Sequence, residues 1–155
     1  MTMKIIALVA PATWPAVVAA VQRHGAADVT LVATAEPPAP LVGPPGGLMG
    51  RARPREPSPQ LAESAADDLL TQAATALGRA AASHVLQGPA ERAVVQACTG
   101  ADVLILARDG DNTRLGPASL GHQTRFIVDH APCAVELVWP SAPPSVATIP
   151  PPPRH

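Results

Sequence analysis

The sequence predicts an α/β fold in which a single open sheet of parallel strands carries helices on both faces. Short apolar runs rich in Val, Ile, Leu and Ala alternate along the chain with longer segments of helical periodicity. Such runs are typical of parallel strands, because helices cover both faces of the sheet and neither face needs to be polar. A length of 155 residues suffices for one such domain with one substantial core.

The N-terminal part of the chain predicts a strand-helix-strand unit. Residues 4–10 (KIIALVA) form a continuous apolar run of strand length. Thr13 is expected to cap a helix that contains AVVAAVQRH and stops at Gly25. Residues 28–35 (DVTLVATA) are a second run rich in β-branched residues, so the unit is βαβ with a right-handed crossover.

A proline-rich segment, residues 37–59, follows this unit. It holds 8 of the chain's 20 prolines and three closely spaced arginines, Arg51, Arg53 and Arg55. We expect a long, mobile surface loop inserted into the domain. Two alternatives remain open, namely a docking segment for a protein partner and a lid whose arginines reach an anion.

A long second helix is predicted after this loop. Ser58 provides an N-cap and Pro59 a first-turn proline. Apolar residues then recur at every fourth position from Leu61 to Leu77, which places them on one helix face. The helix is expected to end near Ser83.

Three further strands and two further helices complete the alternation. The third helix is expected to start after Gly88 and Pro89 and to stop at Gly100, and the segment HQTRFIVDH predicts the last helix. The remaining strands are predicted at residues 84–87 (HVLQ), 103–107 (VLILA) and 134–139 (AVELVW), the last from Ala134 to Trp139.

The domain is therefore expected to span residues 1–140. Residues 141–155 (SAPPSVATIPPPPRH) are rich in proline and cannot extend a sheet or a helix. We expect them to form a disordered or extended tail. Both the tail and the proline-rich loop are possible contacts for protein partners.

The overall composition excludes several classes of function. A formal net charge of -1 offers no long-range attraction to nucleic acid or to an anionic membrane. Only three aromatic residues are present, Trp14, Phe126 and Trp139, so stacking platforms for single strands are missing. No stretch reaches the roughly 20 apolar residues of a membrane span. We expect neither a nucleic-acid partner nor a membrane.

The two cysteines favour a cytoplasmic protein. Cys98 and Cys133 form no CxxC pair and are expected to stay reduced. The N-terminus is similar to a signal peptide, because Lys4 precedes an apolar run. Pro11 and Pro15 interrupt that run, however, and the segment completes the βαβ unit.

The C-terminal half carries a resemblance to a known family. ADVLILARDG followed by LGHQTRFIVDHAPCAVELV, with HAPCAV, Gly121 and Arg125 in matching places, resembles the universal stress protein family. The similarity covers residues 3–139 without the proline-rich loop. It implies a Rossmann-like, adenine nucleotide alpha hydrolase-like fold with five parallel strands in the order 3-2-1-4-5. It also implies a homodimer through the last strand, whose apolar edge invites pairing.

In a sheet of this order, ligands bind beyond the carboxyl ends of strands 1 and 4, where the order reverses. ATP-binding members of the family carry an acidic residue at the end of the first strand. Here Ala10 and Thr13 occupy that region without any carboxylate. The first glycine of the family's GxxG turn corresponds to Ala107, while Gly110 matches the second.

The loop after strand 4 keeps the position of a phosphate loop but has lost part of its chemistry. Ten residues separate Gly110 from Gly121, where the family has nine, and Asp109 and Asp111 are expected to repel phosphate. His122 replaces the family's Ser or Thr, although Thr124 follows two residues later.

An anion would still find favourable features at this end of the sheet. The helix that starts near Gly121 offers free N–H groups and a positive dipole end, and Arg108, Arg114 and a protonated His122 supply charge. The candidate ligand-binding residues are Ala10, Thr13, Ala107, Arg108, Gly110, Gly121, His122 and Thr124.

Neither catalysis nor a metal site is expected. His130 and Cys133 lie at a helix end where neighbouring residues do not face one another. His122 and His130 are two turns apart, about 12 Å by helical rise, which is too far for a shared ion.

We therefore expect a non-catalytic stress-response or regulatory module with a degraded or repurposed nucleotide or anion crevice and no certain cofactor. Two alternatives stay open. One is a protein that binds ATP, AMP or another adenine nucleotide through the Gly110 to Gly121 loop. The other is a dimeric interaction module with a vestigial site.

Overall fold

The computed structural model describes residues 2–35 and 59–154. Ser58 and the rest of the proline-rich segment, apart from Pro59, lie outside the described residues. The N-cap, the mobile loop, the docking segment and the lid predicted there therefore stay predictions. The strands are β1 (Lys4–Leu8), β2 (Asp28–Thr34), β3 (Ala82–Leu86), β4 (Val103–Ala107) and β5 (Ala134–Val138). The helices are α1 (Trp14–Arg23), α2 (Pro59–Leu77), α3 (Ala90–Ala97) and α4 (His122–His130).

The five strands form one parallel sheet in the order β3-β2-β1-β4-β5, which confirms the prediction. β1 lies at the centre, and its Ile6 is in register with Thr30 of β2 and Leu104 of β4. The chain thus leaves β1 in one direction for β2 and later returns on the other side for β4. This reversal opens a crevice at the carboxyl ends of β1 and β4.

Helices cover both faces, and two apolar clusters result. α1 and α2 pack on one face with the alternate β4 residues Val103, Ile105 and Ala107, whereas α3 and α4 pack on the other with Leu104 and Leu106. All five residues of β4 are buried. The uninterrupted apolar runs in the sequence follow from this two-sided burial.

Several element boundaries differ from the predictions. α2 ends at Leu77 and not near Ser83, because Gly78 adopts a φ of +70°, which ends the helix, and β3 begins at Ala82. Thr13 occupies the N-cap position of α1, but its side chain makes no capping hydrogen bond.

The proline-rich tail is more structured than the sequence predicts. Val146–Thr148 forms a 3-10 turn in which the Ser145 hydroxyl accepts a hydrogen bond from the Ala147 N–H at 3.1 Å. The Leu115 N–H donates to the Thr148 hydroxyl at 3.0 Å. The tail is therefore attached to the loop between β4 and α4.

Within the described ranges, no helix combines the length and the apolar character that a membrane crossing requires.

The two-sided core predicts a difference between two valines. Val17 is 0% exposed in α1, and Val146 is 75% exposed in the tail. Val17→Ala should lower the free energy of unfolding by about 2 kcal/mol, because it removes two buried methyl groups and leaves a cavity. Val146→Ala should change it by less than about 0.5 kcal/mol. Urea denaturation followed by circular dichroism measures both values, and equal losses would contradict this packing.

Candidate functional site

A cavity of about 580 Å³ lies where the strand order reverses. In the described part of the chain it is lined by the ends of β1, β2 and β4 and by residues of α2, α3 and α4. Its position is the one that the sheet order predicts for a ligand site.

The structure brings half of the predicted site residues to this cavity. Ala10 and Thr13 line it from the segment after β1, Ala107 lines it from the end of β4, and Thr124 lines it from α4. The other four predicted residues, Arg108, Gly110, Gly121 and His122, are not part of the lining. Contact of these four residues with a ligand therefore stays a prediction.

The N-terminus of α4 is occupied by the protein's own carboxylate. The Gly121 N–H donates to Oδ1 of Asp109 at 2.7 Å, and Asp109 also lines the cavity. A negative side chain at the positive end of a helix is favourable by about 0.3–1 kcal/mol. The helix end that was predicted to bind an anion is therefore already bonded to the carboxylate of Asp109. The sequence did not reveal this contact, because the two residues are 12 positions apart.

Gly121 leaves room for this contact. A Cβ atom on Gly121 would lie 3.0 and 3.1 Å from the two carboxylate oxygens of Asp109. The φ of Gly121 is -70°, an ordinary value for any residue. Its lack of a side chain therefore serves the approach of Asp109.

Gly110 likewise serves the loop itself. Its N–H donates to the Ser119 carbonyl at 2.9 Å, and the Asp111 N–H donates to the Ala118 carbonyl at 2.8 Å, which closes the loop. A Cβ on Gly110 would lie 2.3 Å from the Ala118 carbonyl oxygen. Gly110 is thus needed so that the two halves of the loop can approach one another.

Arg108 is directed away from the cavity. Its guanidinium donates to the buried Ser119 hydroxyl at 2.5 Å and lies 4.4 Å from the ring centre of Trp139. Its backbone N–H donates to the Val138 carbonyl at 2.9 Å. Arg108 therefore ties the loop to the end of β5 and does not supply charge to the crevice.

Arg114 is also engaged within the loop. Asp111 accepts hydrogen bonds from the Thr113 hydroxyl and N–H at 2.5 and 2.9 Å, and from Arg114 Nε at 3.1 Å. These contacts, first the Thr113 hydroxyl, hold the pKa of Asp111 below its usual range. The charge of Arg114 is thus opposed by Asp111.

The described lining of the cavity is mainly apolar. Asp109 is its one charged side chain in residues 2–35 and 59–154. Thr124 is 4% exposed and lines the cavity. The arginines of the predicted lid, Arg51, Arg53 and Arg55, lie outside the described residues.

The histidine and cysteine near the end of α4 each have contacts with other residues. His130 Nδ1 contacts the Phe126 carbonyl of the same helix at 2.7 Å, and its ring stacks on that of Phe126. Cys133 packs in the second apolar cluster with Cys98. Burial, and secondly the adjacent Cys133, raises the pKa of the Cys98 thiol to about 12, which keeps it protonated and unreactive.

Among residues 2–35 and 59–154, no three His, Cys, Asp or Glu side chains are grouped so that they could hold an ion.

Comparison by structure decides the fold type. The chain is similar to a universal stress protein in complex with cAMP, with a TM-score of 0.54 and 16% identity over 90% of this chain and 98% of that one. It is also similar to the universal stress protein UspA of Lactobacillus plantarum, with a TM-score of 0.55 and 19% identity over 88% and 97%. The fold is that of the universal stress proteins.

A third similar structure is a universal stress protein family protein from Arabidopsis thaliana with AMP bound. It has a TM-score of 0.55 and 13% identity over 90% of this chain and 93% of that chain. Compared by sequence, the chain matches no protein-family model and no curated protein. The similarity to the universal stress proteins is therefore a similarity of backbone fold, and the strand order β3-β2-β1-β4-β5 is the one predicted from the sequence.

The closed loop after β4 predicts a contrast between two glycines. Gly110→Ala should destabilise the protein by about 1–3 kcal/mol, because its methyl group would overlap the Ala118 carbonyl. Gly25→Ala should be neutral within about 0.5 kcal/mol, since no atom lies within 4 Å of its Cβ position. Thermal unfolding of both variants measures the effect. A harmless Gly110→Ala would mean that the loop is not closed as described.

Proposed function

We propose that this protein is a universal stress protein-like, non-catalytic regulatory module of the cytoplasm, whose crevice has been repurposed away from phosphate binding. The observation that carries the proposal is the carboxylate of Asp109 at the N-terminus of α4. A helix N-terminus binds phosphate through its free N–H groups and its positive dipole end. Here the carboxylate of Asp109 accepts the Gly121 N–H and lies at the positive end of the helix dipole.

Charge reinforces this proposal. A phosphate placed against α4 would meet Asp109, and like charges at about 4 Å repel by roughly 1 kcal/mol in water and roughly 4 kcal/mol near a protein surface. Arg108 and Arg114, two of the three groups predicted to supply positive charge, bond to Ser119 and Asp111. The methyl group of Ala107 also lies where a glycine would let the backbone approach a phosphate.

The regulatory and non-catalytic part of the proposal is supported by what surrounds the cavity. Hydrolysis needs a positioned base or a metal-bound water. In the described lining, the one acidic or basic side chain is that of Asp109, and it already accepts the Gly121 N–H. The free thiols of Cys98 and Cys133 are consistent with a reducing compartment.

A second candidate is an adenine nucleotide-binding protein, with ATP or AMP as the ligand. Two structurally similar proteins carry cAMP and AMP, which favours this reading. The cavity volume is also sufficient for a nucleoside. The two candidates differ in whether the phosphate contributes to binding.

Nucleotide titration separates them. The melting temperature of the wild-type protein should not change with millimolar ATP and Mg²⁺, AMP or cAMP. A ligand at about 100 times its dissociation constant would stabilise the fold by about 2.7 kcal/mol. Asp109→Ser should allow measurable stabilisation by AMP, because it removes the competing carboxylate.

Asp129→Ser is the matched control for this experiment. It removes the same charge from the exposed end of α4 that is remote from Gly121, and it should leave the response to AMP unchanged. Clear stabilisation of the wild-type protein by ATP or AMP would overturn the proposed loss of phosphate binding.

We also propose that the protein forms a homodimer through β5. In the described sheet this strand pairs only with β4, so its other edge is open. The Ala134 N–H and the Val138 carbonyl bond toward β4. The alternation of the ladder therefore turns the N–H of Val135 outward. The exposed tail residues Val146 and Ile149, together with the proline-rich loop, are further candidate contacts for protein partners.

One substitution tests this dimer. Val135→Pro removes an outward N–H without removing a bond to β4, so it should produce a folded monomer by light scattering. Val135→Thr keeps the N–H and the β-branched shape and should remain dimeric. A dimeric Val135→Pro protein would place the interface elsewhere.

A further inference from the structure

We propose that the crevice binds an uncharged, mainly apolar small molecule with a hydroxyl or carbonyl group that hydrogen-bonds to Thr124. This inference deepens the proposed function and rests on it, since it assigns a ligand class to the crevice that has lost phosphate binding. It depends on three features of the cavity: its apolar wall, its charge and the Thr124 hydroxyl in its lining.

The wall of the cavity is suited to hydrocarbon or aromatic surface. Leu69 of α2, Val94 of α3, Leu106 of β4 and Ile127 of α4 contribute apolar side chains from both faces of the sheet. The volume of about 580 Å³ lies within the range of about 300–1,000 Å³ that is typical of small-molecule sites. Such a site gains affinity chiefly from the removal of apolar surface from water.

Charge selects against ionic ligands. Asp109 repels anions, and its carboxylate is already bonded to Gly121 at the positive end of α4. A cation would have to replace that favourable contact in order to pair with Asp109. A neutral molecule meets neither penalty.

Thr124 supplies the polar anchor. Thr124 is 4% exposed and lies in the cavity wall, and its hydroxyl can both donate and accept a hydrogen bond. A ligand oxygen at that point would bond to the hydroxyl. Thr13 lies on the β1 side of the same cavity, and its hydroxyl is not used to cap α1. The polar end of the ligand is thus placed near α4 and the apolar end toward α2.

The first experiment uses the full-length protein and the neutral fluorescent probe N-phenyl-1-naphthylamine. We expect saturable binding with enhanced fluorescence, and at least tenfold weaker binding of the anionic probe 8-anilinonaphthalene-1-sulfonate. Weak or absent binding of the neutral probe would overturn the inference. Equal or tighter binding of the anionic probe, or of a cationic naphthyl amine, would also overturn it.

Two alanines of α2 provide a matched pair that locates the binding. Ala62 lines the cavity and is half-buried, whereas Ala76 is exposed on the same helix outside the lining. Ala62→Phe should weaken the neutral probe by about tenfold or more, because the ring fills part of the cavity. Ala76→Phe should leave it unchanged. Equal effects of the two substitutions would place the probe elsewhere and contradict the inference. Circular dichroism confirms that both variants are folded.

Thr124→Val tests the anchor with almost no change of shape. In displacement of the probe, 1-naphthol should bind about three- to tenfold more weakly to the variant than to the wild type, which corresponds to the loss of one hydrogen bond. Naphthalene should bind equally to both proteins. An equal loss for the two ligands, or no loss for 1-naphthol, would overturn the role of Thr124.

The outcomes also separate this inference from the proposed function. Stabilisation of the wild type by ATP or AMP contradicts the proposed function whatever the neutral probe does. No response to nucleotides together with no binding of the neutral probe contradicts only the ligand class inferred here.

Discussion

The reversal of strand order at β1 is the constraint on which the rest of the structure depends. β1 pairs with β2 on one side and with β4 on the other, so the connections after β1 and β4 leave the sheet in opposite directions. The gap between them is a necessary consequence of parallel strands joined by helices. The ligand that this chain can bind therefore depends on which side chains fill or border that gap.

The contents of the gap are decided by the loop that joins β4 to α4. Asp109 places a carboxylate at the helix N-terminus, and Gly121 makes room for it. Gly110 closes the same loop against Ser119, while Arg108 connects Ser119 to Trp139. Glycines and arginine that would suit a phosphate loop thus have internal partners. The tail adds a contact through the Thr148 hydroxyl, which accepts a hydrogen bond from the Leu115 N–H in the middle of the loop.

Much of the fold could be predicted because its causes are local and repetitive. Residues of β4 are buried on both faces, and such burial leaves a continuous apolar run that is visible in the sequence. The end of α2 was harder to place, because Arg79 and the three alanines after it continue a helix-compatible composition, while the positive φ of Gly78 ends the helix. The tail was predicted to be disordered or extended because it is rich in proline. That composition does not indicate the hydrogen bond between Thr148 and Leu115 of the loop.

The candidate site was predictable in position but only partly in composition. Ala10, Thr13, Ala107 and Thr124 reach the cavity because the ends of β1 and β4 and the start of α4 converge there. Side-chain direction separates Arg108 from Ala107, its neighbour in sequence, and such direction follows from the pleat and from distant partners such as Trp139.

By itself the sequence determined the α/β class, the strand order through its family resemblance, and the edge of the sheet at which a ligand would bind. Only the tertiary structure decided what that edge can hold. The physical reason is that the periodicity of a strand or a helix is a pattern of neighbouring residues. The contact between Asp109 and Gly121, in contrast, forms only when β4, the loop and α4 have folded together. The position of the Asp109 carboxylate at the site therefore depends on the folded arrangement of these three elements.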